Sequence, residues 1–272
     1  MNKKFKLDNA GNGQIFFVNN FICNQQSKYQ KIEVCDLNML GRTLILDDII
    51  QLSELDCDVY HESFAHMPVL FTKKLERVLI LGGGDGILAK ELLKYENLKI
   101  DLVDIDEQVV DLSKKYLSRL NNNALVSERV NVYNQDALAF CKSVNKNTYD
   151  VIYGDITDPH PDSPSSSLLS QEAIETYKNI LSDDGVLAIQ TDNVQVAPKH
   201  VKKISNLLEK YFTHKHNFAI SAITLGGLFS FVCVTNSNVQ RKEINVTTNW
   251  LDEEKVKTNL LLNTYALSKE HK

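Results

Sequence analysis

Asp155 and Asp158 follow the apolar run DVIYG and stand across a turn before a helix, so both carboxylates can face one pocket. Such a pair can hold an alkylammonium group and strip its proton. Asp85 lies inside the glycine turn GGGDG (82–86). A carboxylate aimed into the site from there repels the carboxylate of ordinary S-adenosylmethionine and welcomes an amine instead. Gly82, Gly84 and Gly86 lack the Cβ atoms that would block a ligand from the turn where a helix starts. The pattern is G-x-G-x-G, with Ile87 in place of the last glycine of the dinucleotide fingerprint. It points away from a nicotinamide cofactor and towards an S-adenosyl ligand, which has no pyrophosphate to cradle. Asp104 closes the next strand at the separation at which an acidic residue reaches ribose hydroxyls. Asp136 stands where a third-strand acid takes an adenine amino group, and Ala137 offers its backbone amide to a ring nitrogen.

Each of these residues also has a structural reading. Aspartate is a good helix N-cap and turn former, and for Asp106 and Asp192 capping weighs as much as function. Tyr60 and His61 could be packing residues at a domain junction, and Gln30 and Gln51 could pair only with backbone. Gln190 either lines the site or ends its strand.

The elements that must position these groups follow from apolar periodicity. From about Gly13 to Leu55 the runs QIFFVNNFI, YQKIEVCDL and RTLILDDIIQLSE alternate apolar and polar side chains between polar turns, predicting a small antiparallel β-domain. From Asp58 to Leu70 the spacing becomes helical. Strand and helix then alternate from ERVLIL onwards, predicting an α/β fold with a doubly wound, mostly parallel sheet. The apolar runs near 217–235 predict an antiparallel edge hairpin, and Trp250 to Lys272 reads as an amphipathic helix. The expected division is an N-terminal β-domain (1–57), a catalytic domain (58–240) and a helical tail (241–272). Ligands of such a sheet sit beyond the carboxyl ends of its strands, where the aspartates fall.

The 272 residues carry a formal net charge of −5, without the basic footprint of a nucleic-acid binder. No apolar run reaches the roughly twenty residues needed to span a bilayer, and the N-terminus lacks a signal-peptide core, predicting a cytoplasmic protein without membrane partners. Five cysteines without C-x-x-C spacing predict reduced thiols, neither a zinc site nor a disulfide framework. Seven histidines show no metal spacing, and His214 and His216 read as a solvated pair.

Taken together, the Tyr29-Gln30 pair, LILDDIIQLSELD (44–56), YHESFAHMP (60–68), GGGDG, Asp104-Ile105-Asp106, Asp136-Ala137 and Asp155-x-Thr157-Asp158-Pro159 resemble the polyamine aminopropyltransferases, the spermidine synthase family. The resemblance implies a small N-terminal antiparallel β-domain on a methyltransferase-type domain, that is, a Rossmann-like S-adenosyl-dependent transferase domain, assembled as a homodimer or homotetramer. It implies transfer of the aminopropyl group of decarboxylated S-adenosylmethionine, a co-substrate and not a tightly bound cofactor, to a small-molecule polyamine. Gln30, Asp104, Asp136 and Ala137 would hold the methylthioadenosine part, and His61, Asp85 and Asp158 the amine-bearing parts. Asp155 would be the base, with Tyr60 orienting the nitrogen and no metal required.

The chain departs from the diamine-using members in two places. HPDSPSSSLL (160–169) lacks their G-P-A and is longer, closer to the spacing of thermospermine synthases. Their Tyr-Pro-Ser-Gly segment is replaced by Ile223-Thr224-Leu225-Gly226, which puts putrescine in doubt and leaves room for a longer acceptor such as spermidine. Two other activities stay open: an N-methyltransferase, which would need room for a donor carboxylate near Asp85, and a non-catalytic polyamine or nucleoside sensor, which would not need Asp155.

Overall fold

The computed structural model describes residues 2–6, 13–156 and 164–268. Strands β1 (Asn2–Lys6), β2 (Gly13–Gln26), β3 (Lys31–Leu37), β4 (Gly41–Leu46) and β5 (Ile49–Ser53) close into a barrel. Sequential neighbours are antiparallel, and β1 meets β5 in parallel through Lys6 and Ile49. The β-domain therefore begins before Gly13. The run NKKFK hides a strand because its one inward apolar side chain, Phe5, stands among lysines, of which Lys3 pairs with the buried Glu33.

Helix α1 (Cys57–Val69) leads from the barrel to β6 (Arg77–Gly82). There follow α2 (Ile87–Leu92), β7 (Lys99–Val103), α3 (Glu107–Tyr116), β8 (Val130–Tyr133), α4 (Ala137–Ser143) and β9 (Tyr149–Asp155). The chain continues through α5 (Gln171–Ile180), β10 (Leu181–Asn193), α6 (Pro198–Glu209), β11 (His214–Ala222), β12 (Gly227–Thr235) and α7 (Glu253–Ser268). The seven strands β6 to β12 form one sheet in the order β11-β12-β10-β9-β6-β7-β8. Strands β10 to β8 are parallel, and β12 runs antiparallel between β10 and the edge strand β11. The order reverses at β6, with β7 on one side and β9 on the other, which opens a crevice at the glycine turn.

Alternation along β6 explains the two layers. Val78 and Ile80 pack under α1, α2 and α7 with Phe64, Leu88 and Val256, whereas Leu79 and Leu81 pack under α4, α5 and α6 with Phe140, Ile174 and Leu208. Helix α3 instead joins sheet to barrel, its Val109 and Leu112 meeting Ile32, Val34 and Leu44.

Two expectations need correction. The last helix starts at Glu253, because the N–H groups of Asn249, Trp250 and Leu251 are taken by the buried Glu62 carboxylate of α1, at 2.6, 2.8 and 2.8 Å. His216 is not a solvated side chain: its ring stacks on Phe71 at 3.7 Å, and burial pushes its pKa down.

Candidate functional site

The sheet brings the sequence-predicted residues to one crevice. Gln30, Tyr60, His61, Gly82, Gly84, Asp85, Asp104, Asp136, Ala137, Asp155 and Gln190 all line a single cavity of about 600 Å³ between barrel and sheet. Asp158 lies outside the described residues, as do residues 160–163. The rest of segment 160–169 is a 3₁₀ turn, Pro164–Leu169, from which Leu168 lines the cavity.

The floor of the cavity depends on glycine at two positions. Gly82 ends β6 with φ +85°, and a Cβ there would stand 2.1 Å from the Asp155 carbonyl oxygen of the neighbouring strand. A Cβ on Gly84 would stand 2.5 Å from Asp104 Oδ2. The missing atoms let β6, β7 and β9 present their ends close together.

On one side of the cavity, Asp104 Oδ2 accepts the Gly84 N–H at 2.9 Å and Oδ1 accepts the Asp106 N–H at 2.9 Å. The carboxylate is thereby fixed while each oxygen keeps a lone pair free. Burial pushes its pKa up to about 6 against these two hydrogen bonds, with the charges of Asp106 and Asp85 adding to the rise. Asp106 caps α3 by accepting the Gln108 N–H, and its other oxygen takes Ser27 Oγ at 2.6 Å and Gln30 Nε2 at 3.0 Å. Gln30 thus pairs with a carboxylate across the domain boundary, and not with backbone alone. Asp136 is exposed and caps α4 through the Ala139 N–H at 2.7 Å, leaving Oδ2 for a ligand. Ala137 opens α4, where a backbone N–H has no intrahelical acceptor.

On the other side, Tyr60 and His61 project from α1. The Tyr60 hydroxyl lies 3.0 Å from Asp155 Oδ1 and also against Gln190 Oε1, while Gln190 Nε2 donates to the Ile156 carbonyl. Buried His61 bonds through Nδ1 to the Cys57 carbonyl at 2.8 Å, which makes Nδ1 the donor and turns Nε2 to Asp85 Oδ1, 4.0 Å away. Asp85 Oδ1 also accepts the Ile87 N–H at 2.7 Å. Asp155 is the most perturbed of these carboxylates. Burial, then the Asp85 charge, push its pKa up to about 7, against the opposing effects of His61 and the Tyr60 hydrogen bond.

Ligand atoms of His61, Asp85 and Asp155 lie within 4.8 Å of one another, a spacing that would suit a metal ion or an ammonium group. A second such group, Asp58, Glu62 and Glu91, is compensated by Lys90 and Lys94, 3.0 and 2.5 Å from Glu91.

The sequence weighs Asp192 equally as a cap and as a site residue and gives no sign of Phe229, and both line the cavity near Gln190. The signal for Asp192 was its position two residues beyond Gln190 on the same strand. Thr224 and Leu225 of the β11–β12 turn complete this end. Thr224 is fastened to the start of α1, its N–H and hydroxyl 3.0 and 2.8 Å from Oδ2 of Asp56, the residue before that helix.

Residues 57–243 match the spermine/spermidine synthase domain, and residues 5–54 the spermidine synthase tetramerisation domain. Over 223 residues the chain is 31% identical to polyamine aminopropyltransferase 1 of Hyperthermus butylicus, covering 81% of this chain and 76% of that one. Over 219 residues it is 33% identical to a polyamine aminopropyltransferase of Prochlorococcus marinus, covering 80% and 75%. In three dimensions it resembles a spermidine synthase crystallised with the transition state analogue AdoDATO, with a TM-score of 0.91 and 23% identity over 98% of this chain and 95% of the other. Spermidine synthase from Thermotoga maritima gives a TM-score of 0.89, again at 23% identity, over 98% and 94%.

Proposed function

Since this chain belongs to the spermine/spermidine synthase family, we infer that it transfers the aminopropyl group of decarboxylated S-adenosylmethionine to a polyamine amine, releasing methylthioadenosine. The observation that carries the reading is Asp155: a carboxylate with a pKa raised to about 7, hydrogen-bonded to Tyr60 and facing Asp85 and His61 under the glycine turn.

An alkylamine with a pKa near that of lysine, roughly 10, arrives protonated and cannot attack. Asp85, Asp155 and, from the sequence, Asp158 attract the cation, and its charge in turn favours the ionised form of Asp155. Asp155 takes one proton, and the freed nitrogen lone pair attacks the methylene carbon bonded to the sulfonium. The C–N bond forms as the C–S bond breaks, and the bonding pair returns to sulfur as the neutral thioether. Asp155 then passes its proton to solvent. Tyr60, itself fixed by Gln190, orients the nitrogen, and in-line positioning supplies much of the rate. Gln30, Asp104, Asp136 and Ala137 hold the nucleoside in this scheme, with Gly82 and Gly84 giving it access.

Asp85 selects the donor, because an ordinary S-adenosylmethionine carboxylate would meet a like charge there. For the acceptor, Thr224 and Leu225 line the end where diamine-using relatives are expected to place a tyrosine, which favours spermidine beside putrescine.

The barrel would join copies into a dimer or tetramer, since β2 exposes Ile15, Phe17 and Phe21 in a row. The working division is an oligomerising barrel (1–57), a catalytic sheet (58–240) and a tail (241–272) that braces α1. Among the described residues no helix is long and apolar enough to cross a membrane. The five buried, unpaired cysteines fit a reducing compartment, and we place the enzyme in the cytoplasm.

Mass spectrometry of end-point reactions tests this reading, with each donor offered to putrescine, cadaverine, agmatine and spermidine. Methylthioadenosine with a lengthened amine is expected. S-adenosylhomocysteine with a methylated amine would overturn the donor assignment, and no product from either donor would favour a sensor.

A further inference from the structure

Asp192 Oδ2 lies 3.1 Å from His200 Nδ1, and Asp192 Oδ1 accepts the Asn193 N–H at 2.6 Å. Asp192 lines the cavity, and His200, in the first turn of α6, lies outside that lining. We propose that His200 is a positioning residue for the acceptor: it holds the Asp192 carboxylate in place to receive the ammonium remote from the reacting nitrogen. The proposal rests on the aminopropyltransferase reading above.

Strand geometry places the two ends of the acceptor. Gln190, which touches Tyr60 beside Asp155, and Asp192 both face the cavity. Thr191 between them is buried and bonds to Ser230 at 2.8 Å on the other side. Gln190 and Asp192 stand on either side of a bulge in the pairing of β10 with β12, so an amine held at Asp155 beside Gln190 can extend its remote end along the cavity wall that Asp192 lines.

A lone carboxylate at a cavity edge would rotate between solvent and ligand. Here His200 donates its Nδ1 proton to Oδ2, leaving the other lone pairs of Asp192 for the amine. The segment that carries His200 is itself fixed. Asn193 Oδ1 accepts the N–H groups of Gln195 and Val196 at 2.9 and 3.3 Å, and Asn193 Nδ2 donates to the Leu225 carbonyl at 3.0 Å. Leu225 is also part of the cavity wall, so one loop positions both the carboxylate and the apolar surface beside it.

The test compares wild type, His200→Ala and His200→Asn, since the asparagine amide can reproduce the Nδ1 donor. The acceptor is putrescine or spermidine, whichever wild type uses, and n-butylamine, which has no second ammonium, is titrated as a competitive inhibitor. Loss of a charge-assisted hydrogen bond predicts that His200→Ala raises the acceptor KM about tenfold. The expected kcat, donor KM and n-butylamine Ki stay within about twofold, and His200→Asn restores the acceptor KM. An unchanged acceptor KM in His200→Ala, or equal shifts in KM and in the n-butylamine Ki, would overturn the proposal. Failure of the wild type to transfer an aminopropyl group would remove the reading beneath it, and the proposal with it.

Discussion

The Tyr60 hydroxyl and Asp155 Oδ1 meet at 3.0 Å although one residue belongs to α1 and the other to the end of β9. That hydrogen bond favours the ionised carboxylate and opposes the burial that pushes its pKa up. Tyr60→Phe should therefore raise the acidic pKa of the rate profile and lower kcat about tenfold to a hundredfold, with donor binding unchanged. Steady-state kinetics across pH checks both effects.

A base with a pKa of about 7 makes kcat/KM fall with decreasing pH below neutrality, because the protonated carboxylic acid cannot accept the amine proton. The same shift sets a stability trend of the opposite sign. Between the ordinary value of 3.8 and about 7 the folded protein holds a proton that the unfolded chain has lost. Stability contributed by Asp155 therefore decreases as pH rises through that window. Asp155→Asn should unfold at a higher temperature than wild type at pH 8, with the difference shrinking towards pH 4. Thermal unfolding of both proteins without ligand, at several pH values, provides the comparison.

Gly84→Ala would push a methyl group against Asp104 Oδ2, which two backbone N–H groups hold in place. The expected result is a donor KM raised at least tenfold with a smaller change in acceptor KM. Gly82→Ala meets backbone at 2.1 Å from a positive φ, and should cost more in folding, about 3 kcal/mol or above.

Glu62 points away from the cavity while its helix neighbours Tyr60 and His61 line it. Glu62→Ala leaves three N–H groups of residues 249–251 without their acceptor and should destabilise the fold by about 3 kcal/mol or more. Urea unfolding measures this loss, and Glu62→Gln should fall between the two.

Much of the fold was legible because its signals are contiguous. The strand VLIL, the glycines and the helix after them follow directly in sequence, and the alternation behind them predicts the parallel sheet. Asp104 was legible by its distance from those glycines. Partnerships across the domain boundary were not. Gln30 finds Asp106, and Thr224 finds Asp56, only once barrel and sheet are packed together. Asp192 read equally well as a cap because both roles need a carboxylate at a strand end, and only the third dimension brings His200 to it. His216 looked solvated because alternation alone cannot reveal Phe71 lying over its ring.

The central claim, that Asp155 is the base of an aminopropyl transfer, is tested most directly by Asp155→Asn. Decarboxylated S-adenosylmethionine binding is measured by calorimetry, and methylthioadenosine release by mass spectrometry. The account predicts donor affinity within about threefold of wild type and turnover lower by about 10² to 10⁴. Near-normal turnover in this variant would contradict it.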